Sequence, residues 1–221
     1  MSDASPENEF LMLIVSSPSG AGKTTLCSRL RAEFPDLKFS VSYTTRPPRP
    51  TEVDGREYHF IDEDTFRTMI SQDAFAEWAC VHGRYYGTSR DAIASARQHG
   101  GGILFDIDYQ GARQLKASYP EVVGVFILPP SLQELERRLR GRGTEDEATT
   151  LRRLANAKGE IGHYVFFDYV VVNDDIDQAY GRLRSIWYAE KSRRIRHATG
   201  CEKLLAESAS VPDSPNDSQE D

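Results

Sequence analysis

Apolar residues gather in short unbroken runs, separated by stretches that carry them at helical spacing. Residues 10–15 form the first run, rich in strand formers and too short to cross a membrane. Similar runs at 102–108, 122–128 and 169–175 read as further buried strands. Between them, Leu26 and Leu30 share one face of a helix expected to end near Glu33, with Pro35 closing it. Helices are also expected over 62–72 (apolar face Phe66, Met69, Ile70), 91–99 and 110–118. One long helix over 176–207 carries Leu183, Ile186 and Trp187 on its apolar side. The segment from Ser131 is charged and helical, breaks around Gly141 and Gly143, and restarts as a second helix near Thr144.

Residues 38–89 depart from this alternation. The stretch 39–43 alternates as a strand, and 57–61, 74–81 and 85–88 read as more strands, so the segment forms a β-rich insert. Glu77 is the lone acid on the otherwise apolar stretch 74–81. A buried unpaired carboxylate is costly, so Glu77 either faces solvent or has a partner.

Composition narrows the class. The chain has 221 residues, 39% hydrophobic and 28% charged, enough for one compact unit with small inserted lobes. Its net charge is −7, of which residues 207–221 contribute −5, so the body is nearly neutral and has no global attraction for nucleic acid or acidic lipid. Cys27, Cys80 and Cys201 are widely spaced, with no C-x-x-C, which reads as reduced thiols in the cytoplasm. The polar, acidic start is no secretory signal, and nothing anchors the chain to a membrane. Residues 1–8 and the Ser-, Asp- and Pro-rich end are expected to be disordered.

The chemistry concentrates after the first strand. Ser17, Pro18, Ser19, Gly20, Ala21, Gly22, Lys23, Thr24 and Thr25 lead from a strand into a helix, the layout of a phosphate-binding loop. Gly20 and Gly22 are expected to let the backbone approach the phosphates, Lys23 to reach them, and the Thr24 hydroxyl to ligate Mg²⁺. Ser17 stands where the motif has glycine, and serine makes that turn only if its φ is negative. The blander reading is a flexible strand–helix connector.

Asp106 and Asp108 close the strand at 102–108 and, two apart, should share a face where parallel sheets collect ligands. An acid beside the loop is what a Mg²⁺ site needs. An N-cap for the helix at 110–118 would explain one of the two. The Arg46–Pro47–Pro48–Arg49 segment suits bidentate phosphate recognition, although alone it reads more readily as a basic surface loop. The arginine-rich helices after Ser131 read alone as a solvated, salt-bridged pair.

Together these motifs resemble the guanylate kinases over about residues 10–200. They are Ser-Pro-Ser-Gly-Ala-Gly-Lys-Thr-Thr-Leu, Ser-Val-Ser-Tyr-Thr-Thr-Arg-Pro-Pro-Arg, Gly-Arg-Glu-Tyr-His-Phe and Phe-Ala-Glu-Trp-Ala, followed by Tyr-Tyr-Gly-Thr, Leu-Phe-Asp-Ile-Asp-Tyr-Gln-Gly, Gly-Arg-Gly-Thr-Glu and Val-Val-Asn-Asp-Asp. The resemblance implies an α/β fold: a parallel-sheet P-loop kinase core with helices on both faces, a β-rich GMP-binding lobe and a helical lid. The domain would span 9–205, with core segments 9–37, 90–130 and 161–205, the insert at 38–89, the lid at 131–160, and tails at 1–8 and 206–221.

It further implies phosphorylation of GMP (with dGMP as a further acceptor) from ATP with Mg²⁺, in purine nucleotide metabolism. Arg46, Arg49, Tyr58 and Tyr86 would hold the GMP phosphate, and Ser42, Glu77, Thr88 and Asp108 would address guanine. Arg142 and Arg153 would be lid arginines on the transferring phosphate, with Lys23 and Arg46 also catalytic. Asn173 would lie near adenine, and Thr24 and Asp106 would serve the metal. Two alternatives carry different tests. A protein-binding module of guanylate-kinase type typically lacks a working phosphate loop, and a kinase for another nucleoside monophosphate would show itself with AMP, CMP or UMP as acceptor.

Overall fold

The computed structural model describes residues 10–81, 83–141 and 147–208. Its centre is β1 (Leu11–Ser16), flanked in a five-stranded sheet by β7 (Gly102–Asp106) and β8 (Val123–Leu128), with β2 (Leu37–Phe39) and β9 (Tyr169–Val172) at the edges. Every pairing in this sheet is parallel. Leu11, Leu13 and Val15 point to one face, against Leu26 and Leu30 of α1 (Lys23–Glu33) and Leu183 and Trp187 of α7 (Ile176–Lys191). Phe10, Met12 and Ile14 point to the other, against Ile93 of α3 (Arg90–Gln98) and Leu115 of α4 (Tyr109–Ser118). Burial on both faces is why the strands read as unbroken apolar runs rather than alternating ones.

The insert folds as a second sheet in the order β4-β3-β6-β5, built from β3 (Tyr43–Thr44), β4 (His59–Phe60), β5 (Phe75–Val81) and β6 (Arg84–Ser89). Helix α2 (Glu63–Ser71) is capped by Asp62, whose side chain accepts from Thr65 N–H at 2.7 Å, and packs Phe66 on Phe75 and Tyr85. Beyond β8 come α5 (Leu132–Gly141), α6 (Glu147–Ile161) and a 3-10 turn (Gly162–Phe166).

Several expectations need correction. The strand expected over 39–43 is two strands in two sheets: β2 stays in the core, and Ser40 N–H still bonds Leu104 O at 2.9 Å before the chain leaves for β3. The insert therefore starts after Ser40, not at residue 38. The strand at 102–108 stops at Asp106, because Asp108 turns its side chain to cap α4. The long helix over 176–207 is two helices, α7 and α8 (Arg194–Ser208). The break returns the chain to the sheet. Arg196 is buried at 6% exposure and donates to Phe10 O at 2.5 Å and Glu190 O at 2.9 Å. Residues 206–208, assigned to a tail, belong to α8. The expectations for residues 1–8, Arg142, Thr144 and 209–221 fall outside the described residues.

Candidate functional site

The loop after β1 turns through two glycines with positive φ, +92° at Gly20 and +95° at Gly22. Ser17 does not share that conformation: Asp73 is the one non-glycine with positive φ among the described residues. Serine therefore makes the turn without strain, and its hydroxyl donates to Pro18 O at 3.0 Å.

The glycines also answer a packing demand. A Cβ at Gly20 would meet Leu139 Cδ2 at 2.9 Å, and one at Gly22 would meet Asn173 Nδ2 at 2.3 Å. Their missing side chains face the protein, and make room for α5 and for Asn173. Helix α1 begins at Lys23 with no side-chain cap and no acid in its first turn, so its leading N–H groups are left for an anion. The loop already shows this preference, since Ser19 N–H donates to the Glu160 carboxylate of α6 at 3.3 Å.

Asp106, at the end of β7, is in register with Val15 and pairs with Lys23. Burial works against the charge on Lys23, but the Asp106 carboxylate outweighs it and holds the ammonium above its ordinary value. Thr24 and Asp106 line the same cavity and offer hard oxygen donors, the ligand chemistry Mg²⁺ takes. Asp108 lines the cavity too, but its carboxylate is already engaged. Its Oδ1 accepts from Gln110 and Gly111 N–H, both at 3.0 Å, as the cap of α4.

This cavity, about 340 Å³, joins the phosphate loop and Asp106 to a wall built from the insert: Ser42, Tyr58, Glu77 and Tyr86. Glu77 is only 5% exposed and stands opposite Thr88 across the β5–β6 ladder, beside a bulge. Burial pushes its carboxyl up to about 7, with Asp108 adding to the rise and Thr88 opposing it. The buried Thr88 hydroxyl has no partner in hydrogen-bond geometry. Tyr58 and Tyr86 pack edge to face with centroids 5.9 Å apart. Burial and then Asp106 raise the Tyr58 hydroxyl above its ordinary value.

Arg46 and Arg49 do not line the cavity. The Arg46 guanidinium lies 5.4 Å from the Tyr58 ring centroid and grips Glu52 with two bonds of 2.9 Å, while Arg49 N–H donates to the same carboxylate at 2.8 Å. Glu52 was not anticipated; its only signal in the sequence was an acid soon after a two-arginine segment. Arg153 is half-buried on α6, about two turns before Glu160, which sequence reasoning also missed. Asn173 is buried, and its amide donates to Ala21 O at 2.7 Å. It braces the phosphate loop from within the protein. Arg138 of α5 in turn donates to Asn173 O at 3.0 Å.

A family model described as guanylate kinase matches residues 10–190. A guanylate kinase from Syntrophotalea carbinolica is 50% identical over 192 residues, covering 86% of this chain and 91% of that protein. One from Maricaulis maris is 52% identical over 188 residues, covering 85% and 86%. Among solved structures, a guanylate kinase from Anaplasma phagocytophilum superposes with a TM-score of 0.75 at 33% identity, over 92% of this chain and 97% of that one.

Proposed function

The chain belongs to the guanylate kinase family, and on that premise we propose how its residues share the work. The reaction is ATP-dependent phosphorylation of GMP, giving ADP and GDP. The observation that carries the assignment of roles is the joining, in one cavity, of an uncapped helix N-terminus with Lys23 to a wall bearing a buried carboxylate.

The loop N–H groups from Ser19 to Thr25 take the ATP phosphates, displacing Glu160 from Ser19. Lys23 leaves Asp106 for the phosphates and stabilises charge on the transferring group. Mg²⁺, held by Thr24 and Asp106, would neutralise charge on the phosphate oxygens. On the acceptor side the GMP phosphate meets Tyr58 and Tyr86 and competes with Glu52 for Arg46 and Arg49. Guanine N1–H and N2–H₂ donate to an ionised Glu77, and the Thr88 or Ser42 hydroxyl donates to O6. Arg142 and Arg153 complete the charge clamp from the lid. Phosphoryl transfer needs positioning and charge neutralisation rather than covalent help, so no general base enters.

In this reading residues 41–89 form the acceptor lobe, and 131–160 a lid whose closure excludes water. It extends to dGMP as a further acceptor, a cytoplasmic location, and no nucleic acid or membrane partner. No described helix is long and apolar enough to cross a membrane. The test is ADP formation with GMP, AMP, CMP and UMP as acceptors. GMP alone should support turnover, and an equal rate with AMP would overturn the assignment of Glu77.

A further inference from the structure

Gly111 lies in the first turn of α4, and its φ is not among the positive ones, so the backbone there does not require glycine. Alanine would make a more stable helix at such a position. What an alanine there would have to displace is the Glu77 carboxylate. A Cβ at Gly111 would come within 2.4 Å of Glu77 Oε2 and 3.0 Å of its Cδ. One turn further along α4, Gln114 takes hold of the next residue on the strand. Its Nε2 donates to Trp78 O at 2.7 Å and its Oε1 accepts from Trp78 N–H at 3.2 Å. Strand β5 is the edge of the small sheet, so this amide supplies the ladder partners that a neighbouring strand would have given.

From these two contacts we infer that Gly111 and Gln114 are positioning residues for guanine selection. Gln114 fixes the height of β5 against the core, and Gly111 admits the Glu77 carboxylate to the N-terminal turn of α4. There the helix dipole favours the ionised form that guanine needs. Asp108, which caps the same turn, opposes that ionisation. The inference rests on Glu77 as the reader of guanine. Acceptor choice is then set from the core helix as well as from the insert.

Gly111→Ala tests it, with kcat and KM measured for each substrate and the thermal midpoint measured without nucleotide. KM for GMP should rise at least about tenfold, KM for ATP should stay within about twofold, and the midpoint should not fall. In a Glu77→Ala background the same substitution should raise KM for GMP no further, since contacts that act through one residue are not additive. Gln114→Leu, which keeps bulk but loses both strand bonds, should also weaken GMP and spare ATP. Normal GMP kinetics in Gly111→Ala, or a full further loss on top of Glu77→Ala, would overturn the inference. So would a midpoint drop with both KM values moving together. If Glu77→Ala itself left GMP kinetics unchanged, the reading of Glu77 would fail instead.

Discussion

The amide of Asn173 occupies the space that a side chain on Gly22 would need. It donates to Ala21 O at 2.7 Å, and a Cβ on Gly22 would sit 2.3 Å from its nitrogen. Residues about 150 positions apart thus fit as one piece beneath the phosphate loop. Gly22→Ala should fail twice, since a left-handed φ costs an alanine roughly 1–2 kcal/mol and the new methyl must also displace the amide. The expected outcome is a fall in the melting midpoint of several degrees together with loss of measurable turnover. A stable, active Gly22→Ala would refute the brace.

Lys23→Met removes the one loop cation that reaches into the cavity. Losing one pre-organised charge at a transition state typically costs about 10²–10³ in kcat, and a fall of that size is expected here. Asp106 loses its partner but keeps some solvent contact, at 23% side-chain exposure. The midpoint without nucleotide should therefore drop by only a few degrees. Near-normal turnover would remove Lys23 from the mechanism.

Glu77 links base choice to pH. Its carboxyl is raised from the ordinary 4.5 to about 7, and only the ionised form accepts from both guanine donors. KM for GMP should rise about tenfold as pH falls from 8 to 6, beyond any change caused by GMP itself. Glu77→Gln should lower kcat/KM for GMP at least about tenfold and abolish the residue's share of that pH dependence. A profile identical in both proteins would rule Glu77 out as the titrating group.

The same shift affects stability, with the sign of an acid whose folded value is raised. Between 4.5 and about 7 the folded protein holds the proton and the unfolded chain does not. Stability without nucleotide is therefore lost as pH rises through that window and is level above it. Glu77→Gln should melt higher than wild type at pH 7.5 and close to it at pH 4.5, each kcal/mol being worth about 2–4 °C in a domain of this size. A gap that narrows with rising pH would contradict the assignment.

Arg196 predicts a purely structural effect. Its guanidinium is buried and bonded to two backbone carbonyls, Phe10 O and Glu190 O. Hydrogen bonds to a charged group contribute about 1.5–3 kcal/mol each, so losing both in Arg196→Leu should lower the midpoint by roughly 6–24 °C. Both KM values should be unchanged, because Arg196 does not line the cavity. A change in KM without a change in midpoint would assign it a different role.

Much of the fold was legible along the chain because its causes are local. Six apolar residues before a small-residue loop make a strand buried on both faces, and Gly20 and Gly22 supply the two left-handed turns before Lys23. The insert showed itself as a change of periodicity, and Glu77 as an acid on an apolar strand. Partners distant in sequence were not legible. Nothing near Arg196 announces Phe10, 186 positions away, so the helix break at Ser192 was read as continuous helix. Nothing near Ser40 says that the chain changes sheets there. The packing reason for a glycine was not legible where it lay elsewhere: Gly22 makes room for Asn173, and Gly111 for Glu77. Periodicity, capping and turn chemistry act over a few residues and leave a mark in order along the chain. Close packing acts between whichever residues the fold brings together, and only the tertiary structure decides which those are.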